Sequence, residues 1–388
     1  MEVHILRFAR NLMILVGVWQ DDFSCTTKQK IYHIFSYIIH GLFSTVCFMI
    51  LMELPNLLGN VRKLLDDSFF VSVAVLTSVK IAIFRSRKFQ HLINQVIGEE
   101  QDMRTDLDED EHMIYLKYAN YVYKLSTAVL VGVASTTLYL IIKPIIQGMI
   151  NPDVEKPMIV IARVPFDQDQ HYRASLMVQS MYFTVGSVYY CTTQIFYISI
   201  TTFVKSQLKI LQYRFRNFDA YRKRFDSSMT DEDVIKKLIR YHIVIMRFAK
   251  ELNDAIKYML LMEYVLISIT IATVTFRLIL VEGANELVLS ISCSAVLIAQ
   301  LFILGSHADD ISIESVAVAD AVYEMNWYEK SLQVQDMALI VIMRSQKPLS
   351  LTIGPFATLT TGTIIPVINA AYSYITIMRR IIQRLDEL

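Results

Sequence analysis

Residues 327–388 read WYEKSLQVQDMALIVIMRSQKPLSLTIGPFATLTTGTIIPVINAAYSYITIMRRIIQRLDEL. An apolar-rich helical segment over 331–343 comes first. It is broken at Arg344-Ser345-Gln346-Lys347-Pro348, because proline cannot continue a helix and forces the preceding residue out of the αR region. After Gly354-Pro355 the chain carries no charge as far as Met378, a run long enough to cross a bilayer core. This run is unlike a lipid-facing helix, since it holds Thr358, Thr360, Thr361, Gly362, Thr363, Asn369, Ser373 and Thr376, with a proline at 366. Small and hydroxylated residues in a membrane helix mark close helix packing or a wet wall.

Working outward, the 388-residue chain is 54% hydrophobic and 19% charged, too apolar for a soluble domain of this length. Seven spanning-length stretches account for the excess, at 31–52, 68–84, 126–146, 176–204, 259–280, 287–305 and 356–378. The expected fold is all-α, a seven-transmembrane helical protein in one unit: an N-terminal segment over 1–30, spans one to four within 31–204, a helical loop over 205–258, spans five and six over 259–305, further helices over 306–353, and the last span with its tail over 354–388. The formal net charge is zero, which gives no argument for nucleic acid as a partner. Cys25, Cys47, Cys191 and Cys293 show neither a disulfide framework nor a CxxC pair.

The Lys and Arg residues orient the chain. Twenty-six lie on the side of the N-terminus and ten on the other, counting Lys143 and Arg277 near the outer ends of spans three and five, with Lys80 inside span two. The excess predicts a cytoplasmic N-terminus and an extracellular C-terminus. A G-protein-coupled receptor is oriented the other way. Its motifs are missing too: Lys143-Pro144-Ile145 stands where Asp-Arg-Tyr would follow span three, and span seven has no Asn-Pro-x-x-Tyr.

Residues 11–19 are a short apolar patch followed by Asp21-Asp22, which reads as an interfacial helix rather than a signal peptide. The charge run DMRTDLDEDE over 102–111 reads as a solvated face. The third loop holds Pro144, Pro152, Pro157 and Pro165 and reads as a stiff, non-helical excursion, either a lid over a cavity or an ordered surface loop. Span four runs on past the membrane: Val204, Leu208, Leu211, Phe215 and Phe218 repeat at spacings of 4 and 3. After the break at 226–229, Thr230-Asp231-Glu232-Asp233 resembles a capping box. Val234, Leu238, Tyr241, Ile245, Phe248, Leu252 and Ala255 then repeat the same spacing into span five. Such a seam predicts two long antiparallel helices packed through one stripe, with Lys205, Lys209, Arg216, Lys237, Arg240 and Lys250 off it. His307, Asp309 and Asp310 fall in one turn and lack the spacing of a metal site. Helical continuation is expected there.

The order of the C-terminal pieces resembles the signature of insect odorant receptors. The residues that carry it are Trp327, the RSQKPLSL segment at 344–351, Gly354, and Ala371-Tyr372-Ser373-Tyr374 with Thr376 and Met378. The ending AYSYITIM departs conservatively from the family's SYSxFTLL kind, and the TYxxxLxQF ending of gustatory receptors is absent. Val16-Gly17-Val18-Trp19 is close to the family's Leu-Gly-x-Trp element. The resemblance implies the inverted topology, a third loop packed over the outer helix ends, and long helices forming a base in which subunits join. It implies residence in the plasma membrane of olfactory sensory neurons. It also implies assembly as a heterotetramer with a common co-receptor, Orco. The compact fourth loop resembles that of an odorant-specific subunit rather than that of the co-receptor.

No P-loop, GxGxxG, HExxH, GxSxG or zinc or haem motif is present, so no enzyme, cofactor or metal is expected. The expected function is a non-selective cation channel opened by a small volatile odorant. A gustatory receptor of the same fold is the runner-up, and a helical transporter the third class. Candidate pocket residues are Phe69, Phe70, Val73, Thr136, Tyr139, Tyr182, Phe183, Gly186, Tyr189 and Cys293, a mix of aromatic and small side chains suited to small organics. Ordinary helix packing accounts for each of them equally well. For the pore, Ile377 and Ile381 share a helix face that Ser373, Ala370, Pro366 and Thr363 extend inward. The family's gate, a ring of aliphatic side chains, maps onto Ile377 and Ile381, with Arg380 beside it. Leu208, Leu211, Leu238, Tyr241, Ile245 and Trp327 are the candidate assembly residues.

Overall fold

The computed structural model describes residues 5–19, 26–57, 61–105, 107–150, 158–160, 170–225, 229–280 and 284–386. Among these, eleven α-helices account for nearly all of the regular structure: α1 (Ile5–Leu15), α2 (Thr26–Glu53), α3 (Val61–Phe84), α4 (Arg87–Thr105), α5 (Glu109–Ile150), α6 (Tyr172–Arg216), α7 (Phe218–Arg222), α8 (Asp231–Leu280), α9 (Ala284–Tyr323), α10 (Leu332–Ser345) and α11 (Ile364–Asp386). Helices α2, α3, α5, α6, α8, α9 and α11 carry the seven expected spans. By length and apolar character alone, four described helices qualify as membrane-crossing, within α2, α5, α8 and α9. Helix α6 misses that test because Tyr, Thr and Gln residues interrupt its apolar run.

The helices overrun the expected spans. The 45 residues of α6 and the 50 of α8 reach roughly 65–75 Å at 1.5 Å per residue, far beyond a bilayer core, so their charged halves form a bundle at one end. There α6 packs on α9 and α8, and α10 packs on α8 and α9. The seam is buried as its spacing requires: Val204, Leu208, Leu211, Phe215, Val234, Leu238 and Leu252 are fully enclosed. The bases that lie off the seam are partly tied down. Lys205 pairs with Asp310 at 2.8 Å, Lys209 with Glu314 at 2.6 Å and Arg216 with Glu324 at 2.5 Å, an ionic ladder from α6 to α9. The capping box at the start of α8 is present, Thr230 Oγ1 accepting from Asp233 N and Asp233 Oδ2 from Thr230 N.

Four expectations are corrected. The acidic run is not simply a solvated face: the Glu111 side chain is 0% exposed and takes Arg214 in two parallel bonds at 2.9 and 3.0 Å, with Arg224 at 3.0 Å. The Arg214 guanidinium lies over the Tyr221 and Tyr241 rings. Burial is the largest influence and opposes its charge, but the bonds to Glu111 together with the nearby Tyr241, Tyr221 and Glu111 groups hold its pKa above the ordinary range. The third loop begins later than Pro144, which lies inside α5. In a bilayer core only a helix satisfies the backbone internally, which outweighs the loss of one hydrogen bond. Pro152, Pro157 and Pro165 lie outside the described residues.

Helix α1 is not simply interfacial, since Ile5, Leu6, Ala9 and Met13 are buried and it packs on α5 and α6. It turns at Gly17 (φ +74°), where any Cβ would press on Ser36 Cα at 3.1 Å and whose carbonyl accepts from Ser36 Oγ at 2.6 Å. The last span starts at Ile364, not 356. Residues Thr352–Ile353 and Ala357–Thr358 form a two-stranded antiparallel hairpin, and Thr360 caps a 3-10 turn, Thr361–Thr363, through a reciprocal box with Thr363. The β-branched threonines suit this extended entry. Pro366 then falls in the first turn of α11, where its missing N–H leaves no bond unmade.

Candidate functional site

Between α2, α3, α5, α6 and α9 lies a cavity of about 160 Å³. Its wall is apolar apart from hydroxyls: Phe43, Phe70, Val73, Ala74, Val133, Leu140, Phe183, Gly186, Val296 and Leu297, with Thr77, Thr136, Thr137, Tyr182, Ser187 and Tyr190. An apolar cavity of about this size holds benzene in a soluble protein, so the volume fits a molecule of one small ring. Aromatic contacts set the wall. Phe43 stacks on Tyr182 with centroids 5.2 Å apart, and Phe70 meets Phe183 edge-on at 5.1 Å. A Cβ at Gly186 would approach Phe43 Cε2 to 3.2 Å, so the missing side chain is what lets α2 come near α6.

Phe70, Val73, Thr136, Tyr182, Phe183 and Gly186 are thus brought together at the cavity. Tyr139 is not, being 44% exposed on another face of α5. Tyr189 is buried behind the wall, bonded to His40 Nδ1 at 2.9 Å and packed edge-on against Phe43. The side chains of Phe69 and Cys293 lie outside the described residues. The sequence reasoning missed the other ten lining residues, among them Phe43, Thr77, Thr137, Ser187 and Tyr190. A signal was there for the last two: Phe183, Ser187 and Tyr190 recur at spacings of 4 and 3, one helix face, whereas Tyr189 is rotated off it.

Beside the cavity a polar cluster is buried among α3, α6, α8 and α9. Glu263 Oε1 accepts from Lys80 Nζ at 2.6 Å, Gln300 Nε2 at 2.7 Å and Gln194 Nε2 at 3.1 Å. Gln300 Oε1 in turn accepts the Tyr190 hydroxyl. One residue further along α8, Tyr264 donates to the carbonyl of Thr363 at 2.9 Å. The cavity also touches the last helix through packing. Leu297 lines the cavity and belongs to the apolar cluster of Leu76, Ile267, Ile271, Leu301, Ile364 and Val367, the last two on α11.

The entry to α11 is fixed to α9. Asp309 Oδ2 accepts from the Thr361 N–H at 2.8 Å and its hydroxyl at 2.5 Å. A Cβ at Gly305 would meet the Thr360 carbonyl oxygen at 3.0 Å. The acidic residues near His307 therefore serve the helix contacts, Asp309 to Thr361 and Asp310 to Lys205. Of the pore candidates, Thr363 closes the 3-10 turn, and Pro366, Ala370, Ser373, Ile377 and Arg380 lie on exposed positions of α11. The Ile381 side chain lies outside the described residues. Of the assembly candidates, Leu208, Leu211, Leu238 and Ile245 are buried within the chain, while Tyr241 and Trp327 are partly buried against its core. They bind the chain's own helices together.

Long spanning helices around a ring-sized apolar cavity define a polytopic membrane protein of the receptor kind. The profile of the 7tm Odorant receptor family matches residues 60–372, and the chain belongs to that family, which is one of receptors and not of enzymes. Over 214 residues it is 28% identical to Odorant receptor 10 of Aedes albopictus, covering 55% of this chain and 57% of that one. Over 321 residues it is 22% identical to Odorant receptor 82a of Drosophila melanogaster, covering 79% and 81%. The chain spans about half the length of the first of these curated relatives it matches. Its fold is similar to that of the insect olfactory receptor OR5 from Machilis hrabei in complex with eugenol, with a TM-score of 0.78, 12% identity and 97% of each chain covered.

Proposed function

We propose that the chain is the odorant-specific subunit of a ligand-gated, non-selective cation channel. A small volatile enters the cavity beside α6, and α11 lines the pore. The observation that carries this reading is the double role of Leu297, which faces the cavity and also packs with Ile364 and Val367 at the start of α11. A ligand that moves the α9 wall shifts the contact that seats the last helix. The eugenol held by the Machilis receptor is a small aromatic volatile of the kind such a cavity suits.

Under this reading the N-terminus is cytoplasmic and the C-terminus extracellular. The subunit assembles with the co-receptor Orco in the plasma membrane of olfactory sensory neurons, through the charged helical base. Whole-cell recording from cells expressing both chains tests it. Volatiles should evoke an ohmic cation current that neither chain alone gives with the same odorant profile. A current that saturates like a carrier, or none with both chains at the surface, refutes it. Tags at the two termini, stained with and without permeabilisation, test the orientation separately.

A further inference from the structure

We infer that the cavity selects small apolar molecules that carry an O–H or N–H, because five of its six lining hydroxyls, all but that of Tyr182, have their hydrogen committed within the protein. This deepens the odorant-binding reading above and rests on it.

Each hydroxyl has one hydrogen and two lone pairs. Thr77 Oγ1 donates to Val73 O at 2.8 Å, and Thr136 Oγ1 to Val133 O at 2.9 Å. The hydroxyls of Thr137 and Ser187 lie 2.5 Å apart, with Val133 O 2.8 Å from the first and Phe183 O 2.7 Å from the second. Two hydrogens serve three contacts there, so both are taken.

Tyr190 is held more firmly. Glu263, ion-paired with Lys80, accepts only, and it takes the Gln300 amide nitrogen. The amide oxygen is therefore the end that meets Tyr190, and an oxygen acceptor obliges the tyrosine to donate. Turning the Tyr190 hydrogen toward a ligand would strand the buried Gln300 oxygen, at the cost of a full desolvated acceptor. In the remaining pair, Tyr182 with Cys47 Sγ at 3.2 Å, either atom can donate.

Apart from Tyr182, what the wall offers is lone pairs. An ether, ester or aldehyde of the right shape sets its own lone pairs against them, whereas an alcohol, phenol or N–H heteroaromatic completes a bond. Lys80 and Glu263 thus fix the polarity of the pocket without touching its contents.

The test uses the full receptor with its co-receptor and matched probes: benzyl alcohol, benzyl methyl ether and benzaldehyde; phenol and anisole. Half-maximal concentrations for the O–H members should be about tenfold lower than for their partners, the ratio expected of one net hydrogen bond. Gln300→Leu releases the Tyr190 hydrogen, so the preference should turn toward benzaldehyde and anisole. Tyr190→Phe should shrink the preference without reversing it. Surface labelling checks that each variant is present. Equal potency within the wild-type pairs, or an unchanged preference in Gln300→Leu, overturns the inference and leaves the channel reading intact. A preference for acceptors that disappears in Tyr182→Phe overturns it as well. Silence toward every volatile, with both chains at the surface, removes this inference together with the proposed function.

Discussion

Lys80 on α3 and Glu263 on α8 meet at 2.6 Å with side chains 3% and 1% exposed, an ion pair enclosed within the spanning bundle. Charges there are costly and persist only when matched. Glu263 is further satisfied by Gln194 and Gln300. Removing one partner strands the other: Lys80→Met should cost about 3–5 kcal/mol and sharply reduce the receptor at the cell surface. Lys80→Met combined with Glu263→Gln leaves amides that bond one another and should recover much of it. Surface biotinylation of the three variants decides, and a Lys80→Met protein as abundant as wild type would show that the pair has no structural weight.

At the charged end, His242 on α8 is buried, and its pKa falls to about 4, by burial first and by the nearby Arg344 charge second. A histidine with a lowered folded pKa binds its proton more readily when unfolded. Its contribution is therefore complete above its ordinary pKa of 6.5 and is lost as pH falls from there toward 4. The purified complex should lose thermal stability between pH 6.5 and 4.5, and His242→Gln should flatten that decline relative to wild type. His307, also pushed to about 4 by burial, retains part of the slope. Identical pH profiles for wild type and variant would place the acid sensitivity elsewhere.

Gly186 sets the width of the cavity. Its absent side chain lies where a Cβ would already touch Phe43, and valine would add two methyl groups in a space of about 160 Å³. Gly186→Val should abolish responses to ring-sized odorants while sparing surface expression, and Gly186→Ala should weaken them less. Dose–response curves check this. Unchanged potency in Gly186→Val would mean that odorants bind away from this wall.

Much of the fold was legible because apolar length is a local property. Six of the seven stretches became long helices and the last did so from Ile364 onward, and the seam from Val204 to Leu252 buried the residues its spacing named, with Tyr241 only half-buried. What was hidden depends on partners distant in sequence. Glu111 sits in a run that reads as solvated, and nothing near it announces Arg214, about a hundred residues on. Lys80 was visible as an oddity within a span, but not Glu263. The hairpin before α11 was hidden because a charge-free run rich in threonine satisfies the length rule for a span as well as a helix does. For the cavity, composition found Phe183 and Gly186. Tyr190 required the period, and Phe43 required the tertiary approach of α2.

The gate prediction concerns the exposed side of α11. This helix buries Ile364 and Val367 against α8 and α9 and leaves Ile365, Ile368, Tyr372 and Ile377 open, the last at 55%. Ser373 spends its hydrogen on Asn369 O at 2.9 Å, so its hydroxyl does not pull a neighbouring helix close. In a channel, faces left open by one chain meet neighbouring subunits or the pore, and an aliphatic ring at the outer end blocks ions by excluding water. Arg380 stands about one turn beyond Ile377 on an exposed position. Ile377→Ala widens such a ring, and Ile377→Asp also wets it. In the proposed assembly with a co-receptor this chain supplies only some of the subunits, so the effect should be modest: a raised odorant-free current or altered cation permeability, larger for Asp than for Ala. Recording leak and reversal potentials with surface expression matched checks it. Wild-type leak, permeability and odorant response in both variants would remove Ile377 from the gate.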